Sequence, residues 1–388
     1  MERVMRGEKQ NAIYLPDHPS PTAKESRLSR VVSFGGGRYM LMVGPPGTGK
    51  TSYVDSNFVL KPILANLYGK GDQVNVIYRS MERSVEEKIA KLVSSLVFMD
   101  RQEIIPPSVM LGYSNAPRML TKHDIETIKA YTDHFTAIGQ RLDIIGGAAT
   151  SDDVLRYAIE KAKERGSLYN TAGNKLLCND QVVGEFTQSE VVAGTKKWFA
   201  EREGHKIYKG EPKFVPNDKK IYLHVTDHIG KVLGSGGEKD TLDKHSNNMA
   251  NILRDVIGYG CIDVIQLNRE IYNTYRLKNE KLTIRKSDIK GSNVPVENSD
   301  IILGVLNPRE MNIHDYEGYD MHMFQDPRNN ANRFRMLVVV KNSQGADNVN
   351  IPLAFYGENG MTYEIPAPAD FYPSHAQQII SGNYMPPV

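Results

Sequence analysis

Eight consecutive residues, Gly44-Pro45-Pro46-Gly47-Thr48-Gly49-Lys50-Thr51, fit the pattern G-x-x-x-x-G-K-[ST] in full. Glycines in such a loop let the backbone curl until its N–H groups face an anion, and a helix starting there adds the positive end of its dipole. Lys50 can reach the outer phosphates of ATP, and Thr51 can offer its hydroxyl to Mg2+. Gly44, Gly47, Thr48, Gly49, Lys50 and Thr51 are therefore the expected nucleotide contacts. Hydrolysis would need a carboxylate on the metal side and a group that takes a proton from water. Asp227, which closes the run Ile221-Tyr222-Leu223-His224-Val225-Thr226, is the expected metal-side carboxylate, and Glu82, in Ser80-Met81-Glu82-Arg83, the expected base. Both residues have plainer readings, since aspartate favours turns and glutamate suits the first turn of a helix.

These groups need strands to hold them. Tyr39-Met40-Leu41-Met42-Val43 leads into the glycine loop, and Val74-Asn75-Val76-Ile77-Tyr78 follows a helix-compatible stretch. Similar short apolar runs recur at Ile221–Thr226, Asp263–Leu267, Ile301–Leu306 and Met336–Val340. Continuous rather than alternating apolar strands indicate a sheet covered on both faces, an α/β class with a mostly parallel sheet flanked by helices. Residues 1–30 are polar, carry Pro16, Pro19 and Pro21, and read as an arm or linker; 31–365 read as the ATPase domain; 366–388 read as an extended tail. Between a helix expected over Ser151–Arg165 and the Ile221 strand, residues 166–219 form an insertion rich in Gly, Asn, Lys and Glu. Within it Thr187-Gln188-Ser189-Glu190 has capping-box spacing, and Val191, Val192, Thr195, Trp198 and Phe199 predict one face of a packed helix.

The chain has 388 residues, enough for two to three domains or one large α/β unit with insertions. Lys and Arg number 48 against 46 Asp and Glu, so any attraction to nucleic acid must be local. Two cysteines, Cys178 and Cys261, are too few for a disulfide framework and suit a reducing cytoplasm. MERVMRGEKQ lacks the apolar run of a signal peptide, and no stretch of 18 apolar residues occurs, so no membrane partner is expected.

The order of these motifs carries a resemblance. The phosphate loop, then Ser80-Met81-Glu82-Arg83-Ser84, the strand ending in Asp227, Gln266-Leu267-Asn268-Arg269, Ser287-Asp288-Ile289-Lys290, Glu297, Asp300 and Lys341-Asn342-Ser343-Gln344-Gly345 together resemble the RecA-like ATPase domain of DnaB-type replicative helicases, over roughly residues 31–365. The resemblance implies that Glu82 is the catalytic base, that Asp227 assists Mg2+, and that Gln266 senses the γ-phosphate. It also implies that Lys341 reaches the nucleotide of a neighbouring subunit. The family's lysine is followed two residues on by an arginine, and this chain has Ser343 there. Arginine at such a point is worth roughly 10³–10⁵ in rate, so either another arginine enters or hydrolysis is slow. Arg333 and Arg335, at the start of the same strand, read as edge or solubility residues. With about 30 residues before the first strand, the family's primase-contacting domain is expected to be absent, and the insertion has no counterpart in it.

Two segments could grip single-stranded DNA. Gly230–His245 is glycine-rich and carries Lys231, Lys239 and Lys244. Arg269–Lys290 holds seven basic residues against three acidic, with Tyr272 and Tyr275 interleaved, and Arg276, Lys278, Lys281 and Arg285 are its expected phosphate contacts. A solvated surface loop is the plainer reading. The resulting expectation is a phage- or plasmid-style DnaB-like helicase or single-strand translocase, working as a homo-oligomeric ring of six, with primase or loader partners, in the bacterial cytoplasm. The alternative is a nucleotide-dependent RecA-like assembly, scaffold or recombination protein with weak hydrolysis and no unwinding.

Overall fold

A computed structural model describes residues 11–22, 24–273, 282–328 and 330–386. In chain order the strands are β1 (Tyr39–Gly44), β2 (Val74–Ser80) and β3 (Leu142–Gly146). The insertion contributes β4 (Gly166–Ala172), β5 (Lys175–Cys178), β6 (Gln181–Glu185), β7 (Gln188–Val192), β8 (Thr195–Arg202), β9 (His205–Tyr208) and β10 (Lys213–Pro216). Then come β11 (Ile221–Asp227), β12 (Gly260–Gln266), β13 (Ile301–Leu306), a small hairpin β14 (Asp315–Tyr316) and β15 (Tyr319–Asp320), β16 (Phe334–Asn342), β17 (Val349–Tyr356) and β18 (Met361–Glu364).

The central sheet has nine strands in the order β18-β17-β16-β13-β1-β12-β11-β2-β3. From β13 to β3 every pairing is parallel, whereas β16, β17 and β18 join antiparallel. All positions of β1 and β13 are buried, as a sheet covered on both faces requires. The chain leaves β1 and returns on both of its sides, through β12 and β13, so the crevice beyond Gly44 is a topological switch point, where ligands of open α/β sheets bind. Among the described residues no helix is long and apolar enough to cross a membrane.

Three expectations change. The segment Thr187–Phe199 is not a helix: β7 and β8 form a hairpin in which Val192 faces Thr195 across Ala193 and Gly194, both at positive φ. A two-residue turn of that handedness matches strand twist, and the β-branched residues flanking Gly194 were its signal. The tail is not simply extended. Pro373 opens a helix, Pro373–Ser381, that Gly382 ends at φ +83°, and Ala376, Ile379 and Tyr384 are buried. The N-terminal arm packs on the domain. Ile13, Leu15 and Leu28 are buried, and the Glu364 carboxylate accepts the N–H groups of Arg27 (2.8 Å) and Leu28 (3.1 Å).

The insertion forms two sheets, β10-β4-β5-β6 and β7-β8-β9, closed over a small core of Tyr169, Leu176, Phe186, Ala200 and Ile207. It grows from the amino ends of the parallel strands, at the opposite edge of the sheet from the glycine loop.

Candidate nucleotide site

The loop after β1 turns through Gly47 at φ +76° and Gly49 at φ +96°, conformations that side chains rarely adopt. Space is equally restrictive. A Cβ on Gly44 would lie 2.6 Å from the Val305 carbonyl oxygen, and one on Gly49 would lie 2.8 Å from the Phe355 ring. Thr48 Oγ1 donates to the Pro45 carbonyl at 2.9 Å, fixing the curl. Lys50 begins the helical run Lys50–Val54, and its ammonium donates to the same carbonyl at 2.7 Å. Burial pushes the Lys50 pKa down to about 8, against the opposing pull of Glu82, Asp227 and Glu310. A buried cation on a loop of inward-curled backbone fits a triphosphate, which would restore its proton affinity.

Thr51 Oγ1 donates to Asp227 Oδ1 at 2.7 Å, so the two groups expected on Mg2+ already meet. A hydroxyl and one carboxylate suit a magnesium ion that keeps waters and takes phosphate oxygens. Asp227 ends β11, where it lies opposite Ser80, the last residue of β2. Two residues beyond Ser80, Glu82 approaches the loop from the neighbouring strand, and His228 Nδ1 lies 2.9 Å from Glu82 Oε1. Gln266, at the end of β12, lies beside Gly44 in the ladder and is half-buried. Gly44, Gly47, Thr48, Gly49, Lys50, Thr51, Glu82, Asp227 and Gln266 thus share one edge of the sheet.

Lys341 does not join them. Because β16 runs antiparallel to β13, its end lies beside Ile301 at the opposite edge of the sheet. There Lys341 Nζ donates to the carbonyls of Val296 (2.8 Å), Glu297 (3.3 Å) and Ser299 (2.5 Å), capping the short helix Val294–Asn298. Ser343 Oγ donates to the Asp300 carbonyl at 2.9 Å, and the Asp300 carboxylate accepts the Tyr39 N–H at 2.8 Å, pinning the start of β1. The same reversal brings the start of β16 to the glycine loop. Arg335 is buried, and its Nε donates to the Thr48 carbonyl at 3.0 Å while its guanidinium lies 4.6 Å from the Phe355 ring centre. Burial pushes its pKa down to about 10. Arg333 is buried too, paired with Glu358 and with Asp326 at 3.0 Å. Neither is an edge or solubility residue. An arginine inside the continuous apolar strand Phe334–Val340 was the available sign.

Sequence reasoning also missed Lys88. Its ammonium, on the helix Val85–Arg101, donates to Asp55 (3.1 Å), to the Tyr78 hydroxyl (2.8 Å) and to Asp227 Oδ2 (3.4 Å), with only 1% of the side chain exposed. Asp227 is therefore held between Thr51 and Lys88. Lys91, one turn on, donates to Ser52 at 2.6 Å, and burial pushes its pKa down to about 8. Two lysines at i, i+3 inside an amphipathic helix's apolar face were the signal. Beside the loop a cavity of about 580 Å³ is lined by Asn307, Glu310, Asn332, Arg335, Phe355 and Glu358, among others.

Of the expected nucleic-acid contacts, Arg276, Lys278 and Lys281 lie outside the described residues, as does Tyr275. Arg285 is exposed at the start of the turn Lys286–Asp288, and its N–H donates to Asp288 at 2.7 Å. Ile271 on one side and Leu282 and Ile284 on the other are buried, anchoring both ends of that segment. In the second segment the helix Glu238–Asn247 replaces the later half of the expected loop, and Lys244 pairs with Asp152 at 2.6 Å.

A parallel α/β sheet with a glycine-rich loop at its switch point and an antiparallel addition beyond β13 defines the fold class. Comparison with solved structures places the chain in it. One is a DnaB-like replicative helicase described with its interactions with primase: TM-score 0.58, 11% identity, covering 94% of this chain and 65% of that one. Another is a separately solved ATPase domain: TM-score 0.56, 12% identity, covering 94% of this chain and 95% of that one. The fold is that of the RecA-like ATPase domain of DnaB-type helicases, and the chain spans just under two thirds of the DnaB-like helicase it matches. No protein-family model and no curated protein matches the chain.

Proposed function

We propose that this protein is a Mg2+-dependent ATPase that works as a DnaB-like helicase or single-strand DNA translocase, assembled as a ring of six identical subunits in the cytoplasm. The observation that carries the reading is the meeting of Thr51 and Asp227 at 2.7 Å beside Lys50, with Glu82 approaching from the next strand. In this reading Lys50 leaves the Pro45 carbonyl for the β and γ oxygens of ATP, and the loop N–H groups hold the triphosphate. Thr51 and Asp227 would hold Mg2+, which on binding would neutralise charge between the outer phosphates. Glu82 accepts the proton of the attacking water, and Gln266, next to Gly44, meets the γ-phosphate. The Phe355 cavity, within the usual range of about 300–1,000 Å³ for ligand pockets, would take the base and ribose. Primase and loader proteins are proposed partners, and single-stranded DNA would meet Arg276, Lys278, Lys281 and Arg285.

A second reading, a nucleotide-driven assembly with slow hydrolysis, is favoured by the far edge of the sheet. Lys341 is engaged by three carbonyls and Ser343 by one, so that edge presents no arginine at the family position to a neighbour's nucleotide. ATPase rate with and without single-stranded DNA, unwinding of a forked duplex, and mass in solution with ATP separate the two. DNA-stimulated turnover with unwinding supports the motor; an ATP-dependent oligomer without either supports the assembly.

A further inference from the structure

Glu82 is the proposed base, yet a carboxylate at the end of a turn is not by itself aimed at anything. Its side chain is 40% exposed, and among the described residues the group that pairs with it is His228, whose Nδ1 lies 2.9 Å from Oε1. His228 directly follows Asp227 and has φ +72° and ψ 68°, a left-handed conformation uncommon outside glycine, in which asparagine, aspartate and histidine are the side chains most often found. That backbone reverses the chain at the end of β11 and lays the imidazole, 13% exposed, against the turn after β2. The turn is itself fixed, since Ser80 Oγ donates to the Arg83 carbonyl at 2.8 Å and Ser84 caps the helix that follows. A left-handed residue and a fixed turn thus converge on one carboxylate oxygen.

We propose that His228 is a positioning residue for Glu82, holding Oε1 through its Nδ1–H so that Oε2 is left to take the proton of the attacking water. The inference rests on the ATPase reading above. Facing a carboxylate oxygen, Nδ1 must carry the hydrogen of the bond.

The test is single-turnover ATP hydrolysis alongside equilibrium ATP binding in H228G, H228N, E82Q and H228G/E82Q. Glycine keeps the left-handed backbone and removes the donor; asparagine tolerates that backbone and keeps an N–H donor. H228G should slow hydrolysis by about 10–100-fold, as loss of alignment does, with ATP affinity within about threefold of wild type. H228N should recover most of that rate. In the E82Q background the glycine should cost nothing more, because there is no base left to position. H228G turning over at or above the wild-type rate overturns the proposal, as does a full additional loss in the double variant. E82Q turning over like wild type defeats the ATPase assignment of Glu82 itself, and His228 with it.

Discussion

The glycine-loop edge of the central sheet and the β-module of residues 166–219 use charge and backbone differently. At the loop edge, lysines are buried: Lys88 bridges Asp55 and Asp227 with 1% of its side chain exposed, and Lys50 and Lys91 have pKa values pushed down to about 8. In the module, Lys197 pairs with Glu211 and Lys206 with Glu190 at the surface. The loop edge also closes around Gly44 and Gly49, where a Cβ would collide with Val305 and Phe355. The module's positive-φ residues instead sit in open turns, with nothing within 4 Å of a Cβ on Gly173, Gly194 or Gly204. One region is built so that charges and backbone cannot relax away from a ligand. The other closes over a small core of its own, with Phe214 packed against the main core.

The comparison can be broken at several points. The largest effect should come from Glu82→Gln, with ATP still bound and hydrolysis about 10²–10⁴-fold slower in single-turnover assays. Turnover within a few-fold of wild type would make Glu82 structural. Next, Lys88→Ala leaves Asp55 and Asp227 buried without their cation, so unfolding titrations should show a loss of about 3–5 kcal/mol. Lys206→Ala, which removes an exposed pair of the module, should leave the core's transition where it was. Equal losses in the two variants would erase the distinction between the regions.

A smaller effect concerns pH. The pKa of Lys50 is about 8 in the nucleotide-free protein, and phosphates would raise it, so ATP binding takes up a proton above that pH. Affinity should be level below about pH 8 and fall above it, by at most about tenfold per unit, until the bound-state pKa is reached. Titrations giving the same affinity from about pH 7 to 9.5 would place Lys50 away from the phosphates. The smallest effect is expected from excising the module. Asn217 N–H donates to the Arg165 carbonyl at 2.8 Å, and Gly166 faces Pro216 in the β4–β10 ladder, so a short glycine link can join the ends. ATP affinity should be unchanged, with a modest drop in melting temperature because Phe214 packs against the main core. Loss of nucleotide binding would mean the module supports the site.

Local sequence determined what covalent spacing can determine. The eight residues from Gly44 to Thr51 form one curled loop because they are consecutive, and the apolar runs from Tyr39, Val74, Ile221 and Ile301 became central strands because their sides are buried on both faces. Patterning was weakest where both periods fitted: Val191, Val192, Trp198 and Phe199 lie as well on a helix face as in a hairpin, and the turn at Ala193-Gly194 decided it. What only the tertiary structure decided is which distant residues face the loop. Nothing near Lys341 says that β16 runs antiparallel to β13, yet that direction carries Lys341 and Ser343 to the far edge and brings Arg335 to Thr48. Nor does helical spacing say that Lys88 points at Asp227, or that a left-handed His228 turns onto Glu82. Those pairings depend on strand order and direction, which are set by burial of the whole sheet rather than by any segment of it.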